Sequence, residues 1–177
     1  MLLTWLGARA AGPLDGEFEV RSATMMLRQG VAELSAVISY PNTSQIRAAL
    51  MDGVTLTFDL EVEVSSPRRF WFDASVVALN LRRELSYHVI SDRYVVRNAD
   101  GIEQATYPSL AAALEDLGNI ERLPIAVAPQ LRGDGPWRVQ LRAGVRRGRM
   151  PDALRALAFW SDAWHRTSEW YVWTLER

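Results

Sequence analysis

The chain has 177 residues, of which 49% are hydrophobic and 23% charged, with a formal net charge of -1. A chain of this length can build a core without metal or disulfide support, and its near-neutral balance predicts no general attraction to nucleic acid or anionic lipid. It contains no cysteine and no lysine, which excludes thiolate, disulfide and zinc-thiolate chemistry along with Schiff-base and P-loop lysine chemistry.

The N-terminus, MLLTWLGARAAG, joins a short apolar run, Leu2 to Leu6, to Ala8-Arg9-Ala10, which has the small-x-small form of a secretory cleavage site. The run is shorter than a working export core and no positive segment precedes it. Residues 1–12 are therefore read either as the remnant of an export or anchor segment or as a frayed terminus. No later stretch is apolar for the length of a membrane span.

From residue 17 onward, period-two alternation dominates, and residues 17–177 are expected to form one domain. Phe18 and Val20 open a strand, and Ala32, Leu34, Ala36, Ile38 and Tyr40 line one face of the next, across a turn at Arg28-Gln29-Gly30. TSQIRAALMDG predicts a short helix with Thr43 or Ser44 as N-cap and Gly53 as its stop. VTLTFDLEVEV alternates without error from Val54 to Val64. A long strand follows through Val77, Leu79, Leu81, Leu85, Tyr87 and Val89, in which Arg83 interrupts the apolar face and needs a partner or an exit to the rim.

YVVRNADGIEQATY reads as a hairpin around Asp100-Gly101. PSLAAALEDLGN predicts a second helix, capped by Ser109 and carrying Leu110, Leu114 and Leu117 on one stripe. Leu123 to Pro136 reads as a proline-bearing loop, and WRVQLRAGV alternates as another strand. Pro151 opens a third short helix through Leu154, Leu157 and Ala158, and SEWYVWTL closes the chain as a strand whose more apolar set, Tyr171, Trp173 and Leu175, is expected inside. The expected fold is mainly β: an antiparallel β-sandwich of about eight strands with two or three short helices in the connections.

Asp59, Glu61 and Glu63 share one face of a strand, where same-side neighbours are about 7 Å apart, too far to converge on one ion. They read as a solvated face complemented by arginines on adjacent strands, with Arg82, Arg138 and Arg142 available. No metal or cofactor site is expected. His88 and His165 lie outside any catalytic or metal motif. Arg142, Arg146, Arg147 and Arg149 form a basic run without interleaved stacking aromatics, so no nucleic-acid partner is expected. Trp160, Trp164, Trp170 and Trp173 crowd the C-terminal segment.

The strings FDLEVEVSSPRRFWFD, LSYHVISDRYVVRN, YPSLAAALEDLGNI and SEWYVWTL together resemble the bacterial domain-of-unknown-function family 4390, over nearly the whole chain beyond Glu17. The resemblance implies a small proteobacterial protein with an export or anchor segment, often encoded near a two-component sensor kinase and an RNA methyltransferase. It implies no activity, cofactor or catalytic residue.

The leading functional expectation is a non-catalytic extracytoplasmic interaction or sensing module. Its partner is an unknown protein, with a membrane sensor kinase as the candidate the resemblance suggests, and its surface would include Trp170, Trp164, Trp71, Phe70 and His88. The expected location is periplasmic or membrane-associated on the extracytoplasmic side, and otherwise cytoplasmic. The alternative is a β-sandwich binding a small ligand or glycan on a concave aromatic surface built from Phe70, Trp71 and the terminal tryptophans. The third reading is an uncharacterised enzyme, which requires His88 or His165 to meet carboxylates in a cleft.

Overall fold

The computed structural model describes residues 12–66, 74–131, 136–149 and 164–176. Two antiparallel sheets face each other. The smaller contains β1 (Glu19–Arg28), β2 (Val31–Ser39) and β7 (Asn119–Val127) in the order β1-β2-β7. The larger runs β10-β8-β3-β4-β5-β6 and is built from β3 (Leu56–Ser66), β4 (Ala74–His88), β5 (Arg93–Asn98), β6 (Gln104–Tyr107), β8 (Trp137–Arg147) and β10 (Tyr171–Leu175). A short β9 (His165–Thr167) also pairs with β8. Helices α1 (Ser44–Met51) and α2 (Leu110–Gly118) lie in the connections. The fold is thus the expected mainly β, sandwich-like one, with ten strands in place of about eight.

Alternation explains the core. Leu56, Phe58, Leu60, Val62 and Val64 of β3 are all buried, as are Val139, Leu141, Ala143 and Val145 of β8. They meet Ala32, Leu34, Ala36 and Ile38 of β2 in one cluster. Tyr40 packs edge-on against Phe58 at 4.9 Å and stacks on Phe18 at 5.4 Å. Such aromatic contacts add specificity to area burial. Tyr171, Trp173 and Leu175 point inward, as the apolar content of that set requires.

Local chemistry sets the ends of the elements. Gln29 and Gly30 both have positive φ, 48° and 80°, giving the mirror-image hairpin turn that suits strand twist. The Thr43 hydroxyl accepts from the Ile46 N–H at 3.1 Å to cap α1, and the Ser109 hydroxyl accepts from Ala112 at 3.2 Å to cap α2. Arg83 lies opposite Phe58, on the inner side of β4. It escapes an unpaired burial by donating to the Asp116 carboxylate at 3.3 Å and to the backbone carbonyls of Asp116 and Leu117 at 3.3 and 2.6 Å. These are end groups of α2, where unsatisfied carbonyls and the helix dipole favour a cation. Burial and a hydrogen bond to the same Asp116 push the Tyr107 hydroxyl up to about 12.

Two strands are additional to those expected. β7 occupies part of the segment read as a loop: its ladder with β2 shifts register twice, Pro124 falls within it, and Arg122 has a positive φ of 45°. Bulges and a proline erase the alternation that would reveal it. β9 is only three residues long. Between it and β10, Ser168 takes over the pairing to β8: its N–H donates to the Ala143 carbonyl at 2.8 Å and its hydroxyl accepts from the Ala143 N–H at 3.0 Å. The third predicted helix, Trp160 and the N-terminal Leu2–Ala10 region lie outside the described residues.

Gly118 sets how closely α2 approaches β2, because a Cβ there would stand 2.1 Å from the Ile38 carbonyl oxygen. Gly118→Ala is expected to destabilise the fold by about 2 to 3 kcal/mol, as overpacking against backbone does. Gly144→Ala, whose Cβ would meet nothing nearer than 3.7 Å, is expected to stay within about 0.5 kcal/mol. Urea melts of the two variants measure both values.

Candidate functional site: the outer face of the larger sheet

β3 is paired to β4 on one side and β8 on the other, so its outward residues sit in the middle of a flat polar face. Asp59 stands directly opposite Arg82 of β4 and Gly144 of β8. Arg82 Nε donates to Asp59 Oδ1 at 2.7 Å, and Arg146 Nε donates to Oδ2 at 2.9 Å. Each carboxylate oxygen therefore has its own guanidinium. Partial burial works against the charge on Asp59, but the hydrogen bonds from Arg82 and Arg146 prevail and hold its carboxyl below the ordinary range.

One step along the strand, Arg142 Nη2 donates to Glu61 Oε2 at 2.5 Å. The same guanidinium lies 4.5 Å from the centre of the Trp170 ring, so Arg142 is held between a carboxylate and an indole. This combines an ion pair with a cation–π contact. Glu63, the third acid, accepts from Gln140 Nε2 at 2.5 Å. The expected arginine-complemented row is present at Arg82 and Arg142, but Arg138 is not part of it. Strand register places Gln140 opposite Glu63 and Arg138 opposite Ser65, and Arg146 takes up the second side of Asp59.

The sequence-selected residues are distributed unevenly. Trp170 is half-buried at the edge of this face, and Val172, 45% exposed, follows on the same side of the last strand. Trp164 packs against the core cluster. His88 is exposed at the end of β4, where Nδ1 lies 2.9 Å from the Ser91 hydroxyl. Phe70 and Trp71 lie outside the described residues. His165 pairs opposite Arg146 on β9, so three strand spacings, roughly 14 Å, separate its strand from that of His88. The two histidines do not meet.

Arg146 was visible in sequence only as part of a basic run; what assigns it to Asp59 is a diagonal cross-strand contact, which needs the β3–β8 register. Among the described residues, no group of three or more histidine, aspartate or glutamate side chains is placed to hold a metal ion. No described helix is long and apolar enough to cross a membrane.

The fold and this face define a two-sheet antiparallel β-sandwich with an internally charge-matched outer surface. The model of the family described as a domain of unknown function, DUF4390, matches residues 15–174. The chain belongs to that family. No curated protein and no solved structure matches it.

Since Asp59 is held more acidic in the folded chain than in the unfolded one, its ionisation contributes stability above the ordinary carboxylate pKa of about 4, and that contribution is lost as pH falls through the folded value. Asp59→Asn is therefore expected to flatten the acid side of the stability profile relative to the unaltered protein. Equal slopes below about pH 5 in the two proteins, measured by thermal melts, would contradict the assignment.

Proposed function

We propose that this protein is a non-catalytic interaction or sensing module of the extracytoplasmic side, which binds a protein partner through the outer face of its larger sheet. The observation that carries this reading is the Trp170–Arg142–Glu61 stack beside the exposed Val172, on a face that no described helix covers. Tryptophan and arginine are the residue types that most often anchor interfaces. Here the arginine is already immobilised, so less side-chain freedom is lost when a partner arrives.

The outer domain of a sensor kinase is the partner to test first, since the family resemblance suggests one nearby. The glycan reading gets less support from this face, because Arg142 covers one side of the Trp170 ring on which a sugar would stack. An enzyme would need the histidines to face carboxylates. His88 is hydrogen-bonded to Ser91, and neither histidine forms an ion pair among the described residues.

Trp170→Ala is expected to change fold stability by less than about 1 kcal/mol while weakening capture of the sensor's outer domain at least tenfold. Trp173→Ala, which removes an inward indole, is expected to cost about 3 kcal/mol in thermal melts. Trp173 also has a buried indole N–H without a hydrogen-bond partner among the described residues. Trp173→Phe should accordingly be much milder than Trp173→Ala. Unchanged partner binding by the folded Trp170→Ala protein would remove the surface assignment, and recovery of the native protein from the cytoplasmic fraction alone would remove the extracytoplasmic one.

A further inference from the structure

An open cleft of about 550 Å³ lies beside the smaller sheet, between the end of β2 and helix α2. That volume is in the range of small-molecule sites. The cleft is lined by residues 37–39 of β2 and the following Tyr40, by Arg21 of β1, and by Ala111, Leu114 and Glu115 of α2. Val37 presents an apolar side chain, 44% exposed, to this mixed lining.

The position of Arg21 is built into the strand. Val20 faces Ile38 and Ser22 faces Val37, so Arg21 is the additional residue of a β-bulge. Bulges re-aim a side chain out of the regular alternation, and this one brings Arg21 to the cleft. Its carboxylate neighbour Glu17, at 2.6 Å, offers little competition, because the two side chains are 51% and 57% exposed. Glu115, on the α2 side of the lining, is exposed and forms no ion pair among the described residues.

β1 and β7, which α2 leads into, flank β2 on opposite sides. One cation from β1 and one anion from α2 in the same cleft, with apolar residues among its lining, match a ligand that carries opposite charges at its two ends. Asn42 and Asn119, exposed residues that also line the cleft, add polar side chains to its rim.

We propose that this cleft binds a short zwitterionic peptide or free amino acid, with its carboxylate on Arg21, its ammonium on Glu115 and an apolar side chain over Val37 and Ala111. The site lies on a different sheet from the Trp170 face and does not depend on the function proposed for that face. Both charged walls are side chains of ordinary exposed positions, so replacing either leaves the fold intact.

Isothermal titration of the full chain with leucine, leucyl-leucine, N-acetyl-leucyl-leucine and leucyl-leucinamide tests the proposal. Free leucyl-leucine is expected to bind about tenfold or more tightly than either blocked form, the ratio that one lost charge-assisted hydrogen bond produces. In Arg21→Gln the preference for the free carboxylate over the amide should vanish. In Glu115→Gln the preference for the free amine over the acetyl form should vanish. Tighter binding of leucyl-leucine than of leucine assigns the cleft to peptides, and equal binding assigns it to amino acids. Absence of binding by all four probes at millimolar concentration, or equal affinity for free and blocked forms, overturns the proposal.

Discussion

β3 is hydrogen-bonded on both sides along nearly its whole length, and the rest of the larger sheet depends on that double pairing. A slip of one residue would carry Asp59, Glu61 and Glu63 into the core and expel Phe58, Leu60 and Val62. Register is fixed a second time on the outer side, because Asp59 takes donors from both neighbours and Glu61 and Glu63 take theirs from β8. Arg82 and Arg146 converge on one carboxylate from opposite strands. The same residues that make the outer face polar thus also hold β4 and β8 in step with β3.

Where alternation was strict, the fold was legible from sequence. The hairpin at Gln29-Gly30, the caps at Thr43 and Ser109 and the inward set of the last strand all follow from short-range rules that the structure obeys. Arg83 could be recognised as an inward charge needing a partner, but the partner itself, the C-terminal end of α2, is thirty-odd residues away and visible only in three dimensions. β7 and β9 were illegible for opposite reasons. The first is bulged and carries a proline, and the second is too short to display a period.

The candidate site was half legible. Parity placed Trp170 and the three acids outward, and their need for cations followed from repulsion along the strand. Choosing among the arginines of β8 required register: Arg138, Arg142 and Arg146 have the same parity, and only two of them reach an acid of β3. Nothing in the sequence marks Arg21 as unusual, since a bulge has no residue signature here. Irregularities in the ladders therefore carry information that composition and period do not.

Helix α2 ends at Gly118 and β7 begins at Asn119, with no residue between them. The helix is held at that end by the fit of Gly118 against Ile38 and by Arg83 on its last carbonyls, while the strand is held by its pairing with β2. An insertion or deletion of a single residue within this unit would rotate the helix stripe by about 100° or exchange the two faces of the strand. Length variation among relatives should consequently avoid residues 110–127 and collect in connections that are not anchored at both ends, so the spacing between these two elements is itself a heritable constraint, independent of which side chains occupy them.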